Sequence, residues 1–310
     1  MSETLSEIRD LLAARVARGS RAPHGDGARI ALCVEGGAMR GVISAGMVSA
    51  LEALGLTHVF DAVYGSSAGA INAAYFLAGQ ARLGTTIYAE DINNARFIDL
   101  RRALAGRPIV DLSFLMDEVV AARKPLDVDA VVRSASPLTV MATDTASGAA
   151  FAFRHVRSAT ELRAALRAGA TMPVVAGPPF RYNGAAFLDA SLSEPIPVTT
   201  AEADGCTHIL ALLTRPGTMR ARPSAFDRWF VAPRLRRTSP ALADRYLRRA
   251  TPYTELMAAI DRGTGPAGHA RVHAIRADIV IRKLERSAEL LREGAKRGYE
   301  AVMGTLAEER

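Results

Sequence analysis

The chain has 310 residues, of which 49% are hydrophobic and 23% are charged. This composition excludes a largely disordered protein, because enough apolar surface exists to offset the entropy of an ordered chain. The formal net charge is +7, and all but three of the 39 basic residues are arginines. Such a charge is typical of proteins with an anionic partner, although Arg-rich codon usage explains it equally well. No nucleic-acid-binding motif is present, so we expect no nucleic-acid partner.

Membrane, disulfide and metal signals are weak along the whole chain. No apolar run is long enough to cross a bilayer, and the first residues lack the apolar core of a signal peptide. Two cysteines, Cys33 and Cys206, cannot form a disulfide framework or a Cys-rich zinc site. The six histidines show no metal-ligand spacing. We therefore expect a cytoplasmic protein that uses no metal and no cofactor.

Two strand–glycine–helix units follow an N-terminal helix. Apolar residues at helical spacing predict that helix over residues 4–18. In the first unit, the apolar run 30–34 predicts a buried strand, and residues 42–54 predict a helix. In the second unit, residues 59–64 predict a strand and residues 70–78 a helix. Consecutive βα units of this kind indicate a mostly parallel sheet that is buried on both faces.

The rest of the chain predicts hairpins, further strands and helices. Asn183-Gly184 lies between two short apolar runs and predicts a type I′ hairpin, since both residues tolerate positive φ. The remaining predicted elements are a hairpin of strands 138–143 and 149–154, a helix over 160–167, strands over 208–214 and 272–275, a peripheral helical insertion over 216–268, and one or two closing helices over 284–306.

The motif Gly65-x-Ser67-x-Gly69 lies where the second predicted strand meets its helix. A serine hydroxyl becomes an effective nucleophile when it is exposed at a strained turn beside a base. A strand-to-helix elbow with flanking glycines supplies that placement, and the N-terminal N–H groups of the following helix point toward the serine. The alternative is a tight structural turn with an incidental serine.

A second glycine-rich stretch, EGGAMRG (35–41), follows the first predicted strand. Its small residues free backbone N–H groups to converge on an anion. Ala38 stands where a dinucleotide-binding fingerprint needs glycine. An oxyanion hole therefore fits this stretch better than a phosphate site, because a serine elbow follows one βα unit later. The alternative is a glycine turn that serves packing.

The third candidate is Asp189, which comes directly after the predicted Asn-Gly hairpin. A rigid hairpin holds a carboxylate in a fixed place, from which it could accept the Ser67 proton without a histidine relay. The physical chemistry of the residues does not by itself select Asp189 from the other acids. A Ser-His-Asp triad that uses His155 or His269 remains open.

The order and separation of these three stretches resemble the patatin-like phospholipase family: EGGAMRG (35–41), GSSAG (65–69) and DAS (189–191). The similarity extends over roughly residues 28–303. It implies a three-layer α/β/α fold with a mostly parallel central sheet and a helical insertion. The implied hydrolase domain spans 28–303, between an N-terminal helix and linker (1–27) and a C-terminal tail (304–310).

The resemblance also implies a Ser-Asp dyad. Ser67 is the expected nucleophile, within an elbow formed by Gly65 and Gly69, and Asp189 is the expected proton acceptor. The oxyanion hole and the residues that fix it are expected in the preceding loop: Gly36, Gly37, Ala38, Arg40 and Gly41.

Two departures from the family pattern affect these expectations. Ala38 replaces the usual third glycine, and we expect its amide to serve the oxyanion hole provided that its φ is negative. Ala190-Ser191 replaces Gly-Gly or Gly-Ala after the aspartate. If glycine is needed there for a positive φ, Asp189 will be displaced.

The implied activity is hydrolysis of carboxylic esters of lipids, such as a phospholipid or lysophospholipid, through an acyl-enzyme. The alternatives are a weakly active or inactive lipid-binding relative and an acyltransferase. In segment 226–237, FDRWFVAPRLRR, aromatic residues interleave with arginines, as in interfacial segments on anionic lipid. This pattern predicts peripheral contact with an anionic membrane, whereas the alternative is a lid whose aromatic side chains pack on the body.

Overall fold

The computed structural model describes residues 3–216, 225 and 227–307, and these ranges contain an eight-stranded mixed sheet. The strands are Ile30–Val34 (β1), Ala62–Ser66 (β2), Leu138–Asp144 (β3), Ala150–Phe153 (β4), Phe180–Tyr182 (β5), Ala185–Asp189 (β6), His208–Leu213 (β7) and Arg271–Arg276 (β8). They run in the order β5-β6-β3-β2-β1-β7-β8, with β4 paired to β3 outside this path. β1, β2, β3, β7 and β8 are parallel, and β4, β5 and β6 pair antiparallel.

Helices cover both faces of this sheet. The α-helices found within the described ranges are Glu3–Ala17 (α1), Val42–Ala53 (α2), Ala68–Leu77 (α3), Ala81–Glu90 (α4), Val128–Val132 (α5), Ala159–Ala170 (α6), Val198–Ala203 (α7), Ala232–Thr238 (α8), Pro240–Arg248 (α9), Ala250–Asp261 (α10) and Ala288–Leu306 (α11). The predicted mostly parallel α/β sheet is confirmed. None of the helices in these ranges has the length and apolar character needed to span a bilayer.

The alternation of side chains along β1 explains why the parallel strands are apolar throughout. Leu32 packs into the larger core on one face, together with α2 and α3, while Cys33 packs into a second core on the other face. Both faces of a parallel sheet are buried in this way. The second core includes Tyr253 and Ile260 of α10. This part of the predicted insertion 216–268 therefore covers the sheet and is not peripheral.

The second strand begins later than predicted. Residues 59–64 were expected to be extended, but β2 starts only at Ala62. The reason is Asp61, whose carboxylate accepts hydrogen bonds from the Ile30 amide at 2.7 Å and from Arg15 at 2.8 Å. This anchor fixes the chain at the entrance of the sheet, and β2 then runs through Ser66 to the edge of the elbow.

The predicted hairpins are confirmed. β3 and β4 pair antiparallel, as do β5 and β6. Asn183 and Gly184 have φ values of 49° and 78°, in agreement with a type I′ turn. β6 ends at Asp189, so the hairpin delivers that carboxylate to the end of the strand beside β3.

The N-terminal helix belongs to the main core. Ile8 and Leu12 of α1 pack into it. Arg15, which is fully buried, donates to Asp26 and Asp61 and to two backbone carbonyl groups. The predicted domain boundaries at 27 and 303 themselves stay predictions.

Candidate active site

Ser67 lies at the turn between β2 and α3. Its φ and ψ are 56° and −132°, a strained combination for a residue with a side chain. Such strain at a strand-to-helix turn presents a hydroxyl above the end of the sheet. α3 begins at Ala68, directly after the serine and two residues earlier than predicted.

The elbow and the glycine-rich loop touch through their backbones. A Cβ on Gly36 would lie 2.3 Å from the carbonyl oxygen of Ser66, and a Cβ on Gly69 would lie 2.3 Å from that of Val34. Only glycine permits such an approach. Within the elbow, Gly65 packs directly against the backbone of Ala70. The predicted glycines therefore bring the loop amides next to Ser67.

Ser67 and Asp189 meet although 122 residues separate them in sequence. The Ser67 hydroxyl donates a hydrogen bond of 2.6 Å to Oδ2 of Asp189. Oδ1 of Asp189 accepts a hydrogen bond of 2.8 Å from the Ser191 amide. The backbone of Asp189 is fixed as well, because its N–H donates to the Thr171 carbonyl oxygen and its carbonyl oxygen accepts from the Thr143 hydroxyl.

Burial dominates the electrostatics of this pair. Asp189 has no solvent exposure, and desolvation raises the pKa of its carboxyl group above the ordinary value. Hydrogen bonds from Ser191 and Ser67 and the positive charge of Lys283 act in the opposite direction on this pKa. A carboxylate with a raised pKa is a stronger base, which suits proton transfer from an alcohol.

The structure decides both questions that the departures from the family motif raised. Ala38 has a φ of +55°, so the condition of a negative φ is not met, although Ala38 still lines the small cavity with Ser67. The Arg40 amide donates to the Gly37 carbonyl oxygen at 3.2 Å and so closes the turn that contains Ala38. Ala190 and Ser191 do not adopt positive φ, so no glycine is required after Asp189. The left-handed conformation of Ala38 costs about 1–2 kcal/mol relative to glycine.

The backbone amides of the loop point to an anion site. Within the part of the chain that the structure describes, the N–H groups of Gly36, Gly37 and Ala38 have no hydrogen-bond partner. The three residues line a small cavity together with Ser67 and Asp189. Unpartnered amides beside a nucleophile are the arrangement that stabilises a tetrahedral oxyanion.

Buried polar groups hold this loop in place. The Arg40 side chain lies against Gly37 and donates from Nε to the Thr214 hydroxyl at 3.1 Å. Thr214 in turn donates its hydroxyl to the Gly36 carbonyl oxygen at 2.7 Å and its amide to Glu35 at 2.7 Å. Glu35 also forms ion pairs with Arg40 and Arg215. Arg40 therefore braces the loop.

Gly41 anchors the end of the same loop. Its carbonyl oxygen accepts hydrogen bonds from the Asn72 amide at 2.8 Å and the Ser44 hydroxyl at 3.0 Å. The Tyr88 hydroxyl donates to the Asn72 side-chain oxygen at 3.0 Å. This network ties the loop to α2, α3 and α4.

Two larger cavities adjoin the small one. The first is almost entirely apolar, starts at Ser67 and Ala38, and continues between Ile71, Phe97 and Leu115. The second has a volume of about 480 Å³ and carries several basic side chains. Met172 lines all three cavities. Ser67 thus lies where an apolar and a cationic space meet.

The histidines considered for a triad lie elsewhere. His155 and His269 are exposed, and neither lines these cavities. In the described part of the chain, no histidine forms a hydrogen bond with Ser67 or Asp189.

Sequence reasoning missed Thr214 and Lys283. Thr214 follows β7, whose carboxyl end lies beside that of β1, and the convergence of strand ends in a parallel sheet is a signal that could have found it. Lys283 lies between β8 and α11 and has no local motif.

A comparison with known proteins agrees with this geometry. Residues 32–202 match the family model described as patatin-like phospholipase. The chain belongs to the patatin-like phospholipase family. The α/β fold with its mostly parallel sheet is the fold that the sequence resemblance implied.

Two individual proteins are similar to this chain at low sequence identity. The uncharacterized protein YjjU of Escherichia coli K12 is 28% identical over 203 residues, which cover 64% of this chain and 56% of YjjU. The chain thus matches little more than half the length of that relative. The crystal structure of VipD from Legionella pneumophila aligns with 89% of this chain and 66% of its own, at a TM-score of 0.46 and 11% identity.

Proposed function

We propose that this patatin-like protein is a serine acyl hydrolase that cleaves carboxylic esters of lipids, either phospholipids or lysophospholipids. The observation that carries the proposal is the hydrogen bond of 2.6 Å between the Ser67 hydroxyl and the Asp189 carboxylate. A direct contact of this length allows proton transfer without a histidine.

The proposed reaction proceeds in two halves. Ser67 Oγ attacks the ester carbonyl carbon while its proton passes to Asp189. The amides of Gly36, Gly37 and Ala38 stabilise the resulting oxyanion. The C–O bond to the alcohol then breaks, and the alcohol leaves with the proton from Asp189. In the second half, Asp189 takes a proton from water and the water oxygen attacks the acyl-enzyme. The acyl C–O bond to Ser67 then breaks, Asp189 returns the proton to Ser67 Oγ, and the fatty acid leaves.

The apolar cavity supports a lipid acyl group as the part of the substrate that enters beside Ser67. Its lining side chains are aliphatic and aromatic, among them Met39, Ile87 and Leu112. The polar atoms of Asn72 and Tyr88 at its wall are bonded to each other and to the loop. Burial of methylene groups in such a space contributes about 0.8 kcal/mol per group.

We also propose that segment 226–237 contacts an anionic membrane. Trp229 and Phe230 are 77% and 53% exposed, whereas Val231 is buried. Arg228 and Arg234 are exposed on the same segment, as are Arg236 and Arg237. Exposed aromatic residues next to arginines favour an anionic bilayer surface. Phe226, which belongs to the predicted segment, lies outside the described residues.

Trp229 reports on this contact directly because it is the only tryptophan in the chain. We expect its fluorescence emission to shift to shorter wavelength with phosphatidylglycerol vesicles and to stay unchanged with phosphatidylcholine vesicles. An emission spectrum that ignores the anionic vesicles contradicts the membrane proposal and leaves the hydrolase proposal intact.

Steady-state hydrolysis tests the activity. With p-nitrophenyl butyrate and a lysophospholipid as substrates, Ser67→Ala and Asp189→Asn are expected to lower kcat by about 10³-fold or more, because they remove the nucleophile and its base. Asp129→Asn is the matched control, since this exposed carboxylate pairs only at 4.0 Å with Arg133. Wild-type rates in either dyad variant contradict the proposal. Acyl transfer to an alcohol without release of fatty acid identifies an acyltransferase instead.

A further inference from the structure

The cavity of about 480 Å³ beside the dyad is lined by four basic side chains: Arg215, Arg245, Arg249 and Lys283. Arg215 and Lys283 also line the small cavity that contains Ser67 and Asp189. The two cavities are therefore adjacent, and a group bound among these cations lies next to the reacting ester.

The cations outnumber the carboxylates at this place. Among the described residues that line the large cavity, Glu194 is the only acidic one. Both of its oxygens are already engaged, since they accept hydrogen bonds from the amide and the hydroxyl of Thr200 at 2.8 and 2.6 Å. Arg215 is neutralised in part by Glu35, at 3.3 Å. Four basic side chains therefore share this space with one acidic lining residue, Glu194, and with Glu35 beside Arg215.

Two of these cations retain donors for a ligand. Arg245 donates from one Nη to the Ser193 carbonyl oxygen at 2.9 Å, while its buried Nε has no hydrogen-bond partner among the described residues. The Lys283 ammonium likewise makes no hydrogen bond or ion pair within the described ranges. Partial desolvation in the cleft and repulsion from Arg215 and Arg40 lower the pKa of Lys283, an effect that a bound anion relieves.

We propose that this cavity binds the phosphate group of the substrate, so that the enzyme selects phosphate-bearing acyl lipids over neutral acylglycerols. The inference rests on the proposed hydrolase function and deepens it. Ser67 lies between the apolar and the cationic cavity, which matches a glycerolipid whose acyl ester separates a hydrocarbon chain from a phosphate. Arginine and lysine are the side chains that bind phosphate most strongly.

The first experiment compares kcat/KM for a lysophosphatidic acid and for the monoacylglycerol with the same acyl chain, both presented in neutral detergent micelles. The wild-type enzyme is expected to prefer the phosphate-bearing substrate by about ten-fold or more, the effect of one or two charge-assisted hydrogen bonds. Lys283→Met and Arg245→Met are each expected to lower this ratio by about ten-fold. Lys283→Arg restores it, because the charge is kept. The matched control Lys296→Met, which changes an exposed side chain of α11, leaves it unchanged.

The second experiment measures binding without turnover. In the Ser67→Ala protein, calorimetry is expected to detect binding of glycerol 3-phosphate and not of glycerol, and the added Lys283→Met change is expected to abolish it. Inorganic phosphate that binds as tightly as glycerol 3-phosphate makes free phosphate the ligand and overturns the headgroup assignment. Absence of binding by either phosphate compound also overturns it.

The two proposals fail differently. If Ser67→Ala abolishes hydrolysis but the wild-type enzyme cleaves both lipids with equal kcat/KM, the phosphate site is refuted and the hydrolase stands. If Ser67→Ala keeps its hydrolytic rate, the proposed function is refuted, and the calorimetric result still decides whether the cavity binds phosphate.

Discussion

Thr214→Val probes the support of the proposed oxyanion loop with almost no change of side-chain shape. Thr214 is 1% exposed, and its hydroxyl joins the Gly36 carbonyl oxygen at 2.7 Å to Arg40 Nε at 3.1 Å. The change leaves the buried Arg40 Nε and the Gly36 carbonyl oxygen without this partner. Each buried polar group that loses its partner costs about 1–3 kcal/mol. Because Arg40 keeps its ion pair with Glu35, we expect the free energy of unfolding to fall by about 2–3 kcal/mol.

The catalytic effect of Thr214→Val follows from the position of the loop amides. Loss of one well-placed oxyanion donor lowers kcat by about 10²–10³-fold, and a loosened loop weakens these donors in part. We therefore expect kcat for p-nitrophenyl butyrate to fall by about ten-fold or more. Urea denaturation and steady-state kinetics measure the two quantities. Thr214→Ser, which keeps the hydroxyl, is the control. A Thr214→Val protein with the stability and kcat of the wild type refutes the bracing role.

Three further predictions concern buried charges. Burial raises the pKa of Asp189, and this base must be ionised to accept the Ser67 proton. We therefore expect kcat/KM for ester hydrolysis to rise with pH through the pKa of Asp189, at a higher pH than an exposed aspartate would give. A flat pH profile of kcat/KM between pH 4 and 8 contradicts this prediction. The same raised pKa means that Asp189 destabilises the fold when it is ionised, at a pH above that pKa. Asp189→Asn is therefore expected to raise the free energy of unfolding at pH 8, by about 1.4 kcal/mol for each pKa unit of the shift. A variant that unfolds at a lower temperature than the wild type contradicts this account. Arg15 lowers the pKa of Asp26 through their hydrogen bond and also pairs with Asp61. Arg15→Met leaves both carboxylates without this partner and is expected to reduce the free energy of unfolding by about 3–5 kcal/mol, as measured by denaturant titration. A loss below about 1 kcal/mol refutes the anchoring role of Arg15.

Local conformation explains which parts of the molecule the sequence predicted well. The elbow around Ser67 and the Asn183-Gly184 hairpin depend on small residues that fix the backbone over a few positions. The parallel sheet followed from apolar strands that alternate with helices. These features depend on sequence neighbours, so a single chain contains enough information to predict them.

Contacts between distant segments explain what could not be predicted. β2 starts at Ala62 because Asp61 is tied to Arg15, a residue 46 positions earlier. The packing of α10 on the sheet, the brace through Thr214 and the placement of Lys283 beside Asp189 all depend on the assembled fold. The positive φ of Ala38 is set by a turn that its own residue type disfavours, so propensity pointed the other way.

Mapping of the residue that reacts with a long-chain alkyl fluorophosphonate tests the Ser67–Asp189 dyad most directly. The probe phosphonylates a serine only when a neighbouring base removes its proton, and peptide mass spectrometry locates the adduct. The dyad predicts a single adduct on Ser67, formed at least about 100-fold more slowly in Asp189→Asn. An adduct on another residue, or equal rates in the wild type and Asp189→Asn, would contradict the direct transfer of the proton from Ser67 to Asp189.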